Sequence, residues 1–330
     1  MTGWLLLLGL ALAAGAGLHA LRWLTAMPGA SHRGPGPEFS AQERDLALRL
    51  EAHVRALCGL GPRTYARPGS LESAADWLAA GLEELGLAVE RDAFTLLDRE
   101  YANLVAEVRG HERPEEIVLV GAHYDTVRAS PGADDNASGC AALLEMAREM
   151  AAAPHPRTLR LVFFVNEEPP FFMTPDQGSL RYAYDCRRRG DDIRAMLCLE
   201  SLGYYRDEPG SQSYPFPLSL YYPDRGDFVA FVGNVASRDL ARRMTALFRA
   251  ACPFPSEGAA LPGVFPGVSW SDHRSFWRAG YQAVMATDTV PYRNPHYHRP
   301  TDTPETLDYL RLARVTRGLA AVVRELARER

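Results

Sequence analysis

The sequence predicts a three-layer α/β/α domain around a mixed, mostly parallel central sheet. Three observations carry that expectation. Short apolar runs alternate with amphipathic helical patterns over most of the chain. The 330 residues, 47% of them hydrophobic, are enough to bury one large core. Residues able to do chemistry follow the apolar runs directly, at the carboxyl ends of strands where ligands bind in parallel sheets.

The first element is "WLLLLGLALAAGAGLHAL", Trp4 to Leu21, apolar except for His19. At about 1.5 Å per helical residue it just spans a thin hydrocarbon core. It reads as an uncleaved transmembrane anchor within residues 1–26 or as a cleaved export signal. The expected localisation is therefore membrane-anchored with an extracytoplasmic body, or secreted or periplasmic. Arg22 and Arg33 follow the run, and by the positive-inside rule they favour the opposite orientation. "MPGASHRGPGPEF", residues 27–39, reads as a Pro/Gly-rich linker, leaving 40–330 as a single domain.

Ser40 and Glu43 make a capping-box pattern ahead of Leu46, Leu50, Val54 and Leu57, and Gly59 with Pro62 closes that helix. A second helix carries Trp77, Leu78, Leu82 and Leu85 before Gly86. Beyond it "NLVAEV", "EIVLVGA", "LRLVFFVN", "RAMLCLE" and "QAVMATD" read as strands. Helices are expected from about Ala137 to Ala152, from about Arg238 to Ala251, and after Leu307.

Composition excludes several function classes. With 36 basic against 41 acidic residues there is no electrostatic reason to expect nucleic acid as a partner. Every basic side chain among Lys and Arg is Arg, which rules out Schiff-base chemistry on lysine. The five cysteines are scattered without a CxxC pair, so neither a disulfide framework nor a thiolate zinc site is implied.

Acidic residues and histidines recur at the strand ends. His123 and Asp125 follow "EIVLVGA", with Asp134 and Asp135 soon after; Glu167 and Glu168 follow "LRLVFFVN"; Glu200 and Asp288 end two further runs. Adjacent glutamates repel unless a cation lies between them, and no lysine exists to supply one. A metal resolves the repulsion. His, Asp and Glu together suit zinc, and one shared carboxylate suits two zinc ions. Late in the chain, Asp272 and His273 lie in "SDHRSFW", and His296 and His298 lie two apart on a proline-rich loop.

"GAHYDT", "PGADDNASG", "FFVNEE", "LGYY", "SDHRSFW" and "YHRPTDTPETLDY" occur in one order across most of Ala41 to Arg330. In that order they resemble the co-catalytic dizinc exopeptidases similar to bacterial leucyl aminopeptidases. The resemblance implies two zinc ions and peptide substrates with a free amino terminus. It implies His123 as a ligand of one zinc, with Asp125 orienting that imidazole through its other nitrogen. It makes Asp134 the bridge between the ions, Glu167 the general base, and Glu168 and His298 ligands of the second zinc, with His296 outside. Asp135 and Asn136 then shape the turn that delivers the bridge. The resemblance also implies Glu200 as a metal ligand, at a position where the family pattern has Asp. A second departure is "PPFFMTPDQ", residues 169–177, longer than in the family: it either walls an apolar pocket or packs as a surface loop. Two other functions stay open, a glutaminyl-peptide cyclotransferase with one zinc and a non-catalytic, membrane-anchored peptidase-like protein.

Overall fold

The computed structural model describes residues 15–34 and 36–329. Helices α1 (Ala41–Gly59) and α2 (Pro68–Glu83) precede strands β1 (Val89–Leu96), β2 (Arg99–Val108) and β3 (Arg113–His123). There follow α3 (Gly139–Ala151), β4 (Arg157–Phe164), α4 (Gly178–Arg189), β5 (Asp192–Glu200), β6 (Val229–Gly233), α5 (Arg238–Ala251) and β7 (Ser256–Ala260). The chain closes with α6 (His273–Arg278), β8 (Ala283–Thr287), α7 (Val290–Arg293) and α8 (Tyr309–Arg328). The sheet runs in the order β1-β2-β4-β3-β5-β8-β6-β7. Its centre is parallel, β3 pairing with β4 and β5, and β5 with β8. Antiparallel pairs flank it at β1–β2, β2–β4 and β6–β8, with β7 parallel to β6 at the edge. The expected mixed, mostly parallel sheet is present.

Alternation along β3 explains the three layers. Val118 and Val120 point into a core with Leu50 and Leu57 of α1, Leu143 of α3, Phe248 of α5 and Leu319 of α8. Leu119 points the other way, to Tyr182 of α4 and Phe276 of α6. Strands β1, β6 and β7 were not expected. β1 is half-exposed and charged, and β7 reads "SEGAA", with no apolar run to mark it. The polar helix α4 was missed for the same reason. α1 starts at the expected capping box: Ser40 Oγ accepts from the Glu43 N–H at 3.2 Å and Glu43 Oε2 accepts from the Ser40 N–H at 2.7 Å.

The expected linker is tied down. Residues 15–25 are helical, and Leu21 and Leu24 pack against a small cluster with Leu218, Leu261 and Val268. Arg238 donates to the Trp23 carbonyl at 3.0 Å, and Arg249 to the Pro28 and Gly29 carbonyls at 2.9 Å each. Ser256 N–H of edge strand β7 donates to Ser31 Oγ at 2.9 Å. A Cβ on Gly258 would lie 2.8 Å from Met27 Cγ, so the Met27 side chain rests on the same strand. Residues 21–31 thus cover a sheet edge that would otherwise offer unpaired backbone groups. Losing this packing costs about 2–3 kcal/mol. A chain starting at Ser40 is expected to melt roughly 5–10 °C below one starting at residue 20, given ~2–4 °C per kcal/mol at this size; equal melting temperatures would remove the strap from the fold. Among the described residues no helix is long and apolar enough to cross a membrane. The expected span falls, through residue 14, outside the described residues.

Candidate active site

β4 and β5 both follow β3 in sequence but lie on opposite sides of it. The connections diverge there and leave a crevice at the strands' carboxyl ends. His123 ends β3, Glu167 and Glu168 lie past β4, and Glu200 ends β5, so all four face this crevice region. Three non-glycine residues beside these groups sit in the left-handed region, Asn166 (φ 59°), Ser201 (φ 50°) and His298 (φ 58°). Such conformations cost energy and concentrate where geometry serves function.

The side chains converge on one carboxylate. His123 Nε2 lies 3.2 Å from Asp135 Oδ1 and 3.2 Å from Glu200 Oε2. His298 Nε2 lies 3.1 Å from Asp135 Oδ2 and 3.3 Å from Glu168 Oε2. A ring N–H points along one line and serves one acceptor well. Two carboxylates equally close to the same nitrogen instead resemble ligands around an ion: for ligands about 2.05 Å from a tetrahedral centre, neighbouring donor atoms lie about 3.3 Å apart. Glu168 Oε1 is buried without a protein partner. Two sets of three donors, His123–Asp135–Glu200 and Asp135–Glu168–His298, therefore each fit a divalent cation.

The electrostatics agree. Burial and the charge of Asp135 push the Glu168 carboxyl up to about 7, opposed by His298. Burial first, then the charges of Glu168, Asp272 and Glu200, holds the Glu167 carboxyl well above the ordinary range, against the pull of His123. So many buried carboxylates cannot all stay charged unless cations share the space. Glu167 gives no atom to either donor set.

Asp134 is not at the centre of this arrangement. Its Oδ1 accepts from the Gly203 N–H at 2.9 Å and its Oδ2 from Asn294 Nδ2 at 2.7 Å, so its carboxylate faces the supporting loops. Asp135, expected only to shape the turn, points between the two histidines. Within the turn 133–138 neighbouring side chains diverge, and only one of the pair can face the crevice; sequence alone carries no signal for which. The Asp135–Asn136 peptide bond is cis. Asn136 is fully buried, accepting from the Gly139 and Ser201 N–H groups at 3.1 Å each, so the Asn136-Ala137-Ser138 triplet, which matches a glycosylation sequon, is closed to modification.

Asp125 stands beside His123 on the expected side of the ring, its carboxylate 3.7 Å from Nδ1, and that nitrogen also meets the Asp125 backbone carbonyl at 3.2 Å. The carboxylate accepts from the Glu167 and Glu168 N–H groups, both at 3.1 Å, and so fixes the paired glutamates. His296 contacts Thr301 Oγ1 at 3.0 Å and stands outside both donor sets. Asp288 accepts from the Tyr204 N–H at 2.8 Å, and His273 is buried against the Val268 carbonyl at 2.8 Å.

Several supporting residues escaped the sequence reading. Asp302 accepts from the Asp134 and Asp135 N–H groups at 2.9 and 3.2 Å, holding the turn in place. Ser271 donates to Glu200 Oε2 at 2.7 Å and Ser201 to Oε1 at 3.0 Å, which steadies the longer side chain found where the family pattern has Asp. The Tyr297 ring stacks on His298 at 3.8 Å, and its place next to that histidine was the one available clue. Beside Glu200 opens an apolar pocket lined by Tyr214, Leu218, Tyr222, Phe228, Val268 and Trp270 among others. The long segment 169–177 takes no part in it. Phe171 packs on Tyr65 and Tyr101 instead, with ring centres 5.6 and 6.0 Å away.

The profile of peptidase family M28 matches residues 103–323. Protein YfbL of Escherichia coli, itself uncharacterized, is 34% identical over 311 residues, covering 91% of each chain. A probable leucine aminopeptidase 1 of Trichophyton verrucosum is 25% identical over 68% of this chain, which spans 58% of the fungal protein. Among solved structures, a zinc aminopeptidase of Bacillus subtilis superposes with a TM-score of 0.67 at 16% identity, covering 89% of this chain and 97% of that one. A glutaminyl cyclase of Bacteroides thetaiotaomicron gives 0.63 at 18% identity, covering 88% and 99%.

Proposed function

Since the chain belongs to peptidase family M28, we propose that it is a zinc-dependent aminopeptidase that removes the first residue of peptides with a free amino terminus. The observation that carries this reading is the pair of donor sets sharing Asp135. His123 and Glu200 would hold one zinc, Glu168 and His298 the other, with Asp135 common to both. Zinc held there supplies a Lewis acid that lowers the pKa of water and polarises a carbonyl. The chain's own residues do the rest. Glu167 takes the proton of the attacking water and returns it to the leaving amine. Burial, which holds its carboxyl above the ordinary range, makes the carboxylate a stronger proton acceptor. Asp125 keeps Glu167 and Glu168 in place through their backbone N–H groups. The surrounding carboxylates favour an amino-terminal group over a blocked one, and the adjoining apolar pocket favours an apolar first side chain.

The glutaminyl cyclase fold match keeps one competing reaction in view. That reaction needs a single Lewis-acidic metal and breaks no peptide bond. The shared carboxylate with two complete donor sets supports the hydrolase instead. Incubating the zinc-loaded chain with defined peptides and reading products by mass spectrometry separates the two. Stepwise loss of apolar amino-terminal residues is expected, with acetylated peptides cut far more slowly. Ammonia loss from amino-terminal Gln without trimming would move the assignment to the cyclase. The apolar run before residue 22 supports a membrane-anchored or exported enzyme, consistent with peptide substrates outside the cytoplasm.

A further inference from the structure

Seven of the eleven large apolar side chains exposed among the described residues belong to one face. Leu18 and Trp23 lie on the helical stretch 15–25, Phe216, Leu220 and Tyr221 on one loop, and Val264 and Trp270 on another. Val264 at 94% and Phe216 at 81% exposure are almost wholly in water, and Leu220 is exposed over about two thirds of its surface, at 68%. Their sequence neighbours explain the grouping. Leu218, Phe265 and Val268 from the two loops and Leu21 and Leu24 from the helical stretch pack into one small cluster. Clustered exposure of this kind marks an interaction surface rather than scattered surface apolar residues.

We propose that this rim, made by loops 214–222 and 261–270, docks onto a lipid bilayer beside the apolar amino-terminal run. The run from Trp4 to Leu21 has a single ionisable residue, His19, so an apolar phase is its natural surrounding. The described end of that run is fixed to the domain at the rim itself, by Leu21 and Leu24 and by Arg238, whose guanidinium lies 3.8 Å from the Trp23 ring centre. A phase that receives the run therefore meets the loops as well. Trp23, Tyr221 and Trp270 at the edge, with exposed Arg22 next to them, are the residue types that settle at a membrane–water boundary. Trp270 also lines the apolar pocket, so docking brings the pocket's entrance to the bilayer surface. The docking does not depend on which reaction the site performs.

The test uses the full chain in phosphatidylcholine–phosphatidylglycerol vesicles, in a Cys58→Ser background because the other cysteines are buried. An environment-sensitive fluorophore is placed at Val264→Cys or Leu220→Cys. Leu97→Cys, exposed at the β1–β2 turn on the opposite edge of the sheet, is the reference. Labels at 264 and 220 are expected to shift to the blue, and nitroxide-bearing lipids should quench them at least twofold more than the label at 97. Labels at 264 and 220 that behave like the one at 97 overturn the proposal. So does a blue shift without lipid quenching, which assigns the rim to a protein partner or a second copy of the chain.

Discussion

Asp135→Ala is expected to strip bound zinc and abolish turnover together, while Asp134→Ala retains most of the metal. Asp135 is the one carboxylate within 3.2 Å of both histidine nitrogens, so its loss removes a donor from both sets at once. Asp134 instead meets Gly203 and Asn294, and truncating it leaves their N–H groups unpaired in a buried region. That costs stability, about 1–3 kcal/mol for each orphaned group, but no donor. Metal content by atomic emission and melting temperature, measured on both variants, separate the two roles. Zinc lost from a folded Asp134→Ala, with zinc retained by Asp135→Ala, would reverse the assignment.

Glu167→Gln is expected to lower kcat by roughly 10²–10⁴, about 3–5 kcal/mol of barrier, with zinc content near wild type. The amide keeps the shape but accepts no proton, and Glu167 contributes to neither donor set. Its backbone N–H bond to Asp125 is untouched. The loss should fall on kcat more than on KM, because the proton moves in the transition state and not on binding. Near-normal turnover in this variant would remove Glu167 from the chemistry. A fall in zinc content parallel to activity would make it a ligand instead.

Much of the fold was legible because its signals are local. The capping box at Ser40 and Glu43, and the apolar runs of β2, β3, β4, β5 and β8, declare themselves over a few residues. β6 carries a run, Phe228 to Val232, as apolar as that of β8 and was overlooked. β1, β7 and α4 lack that signature, being charged, built of small residues or rich in arginine. They exist through pairing and packing with neighbours distant in sequence, which no local window contains. The amino-terminal strap is a similar case. Pro and Gly at residues 27–39 read as a free linker, yet Arg249 binds the Pro28 and Gly29 carbonyls and the Ser256 N–H binds Ser31, partners far away in the sequence.

By itself the sequence determined the donor chemistry: His, Asp and Glu at successive strand ends, with no lysine to neutralise them, call for a metal, and the exopeptidase type followed from the resemblance of the ordered motifs to a family. His123, Glu168 and Glu200 stand at strand ends that the apolar runs mark, His298 was named by the motif resemblance, and the structure brings the four together in two donor sets around Asp135. Only the tertiary structure decided between Asp134 and Asp135, and gave Asp125, beside the imidazole, a grip on the glutamate backbone as well. The reason is physical. Residue type fixes what an atom can bind, but its direction within a turn is set by partners such as Asp302, Gly203 and Asn294, which are brought there by folding alone.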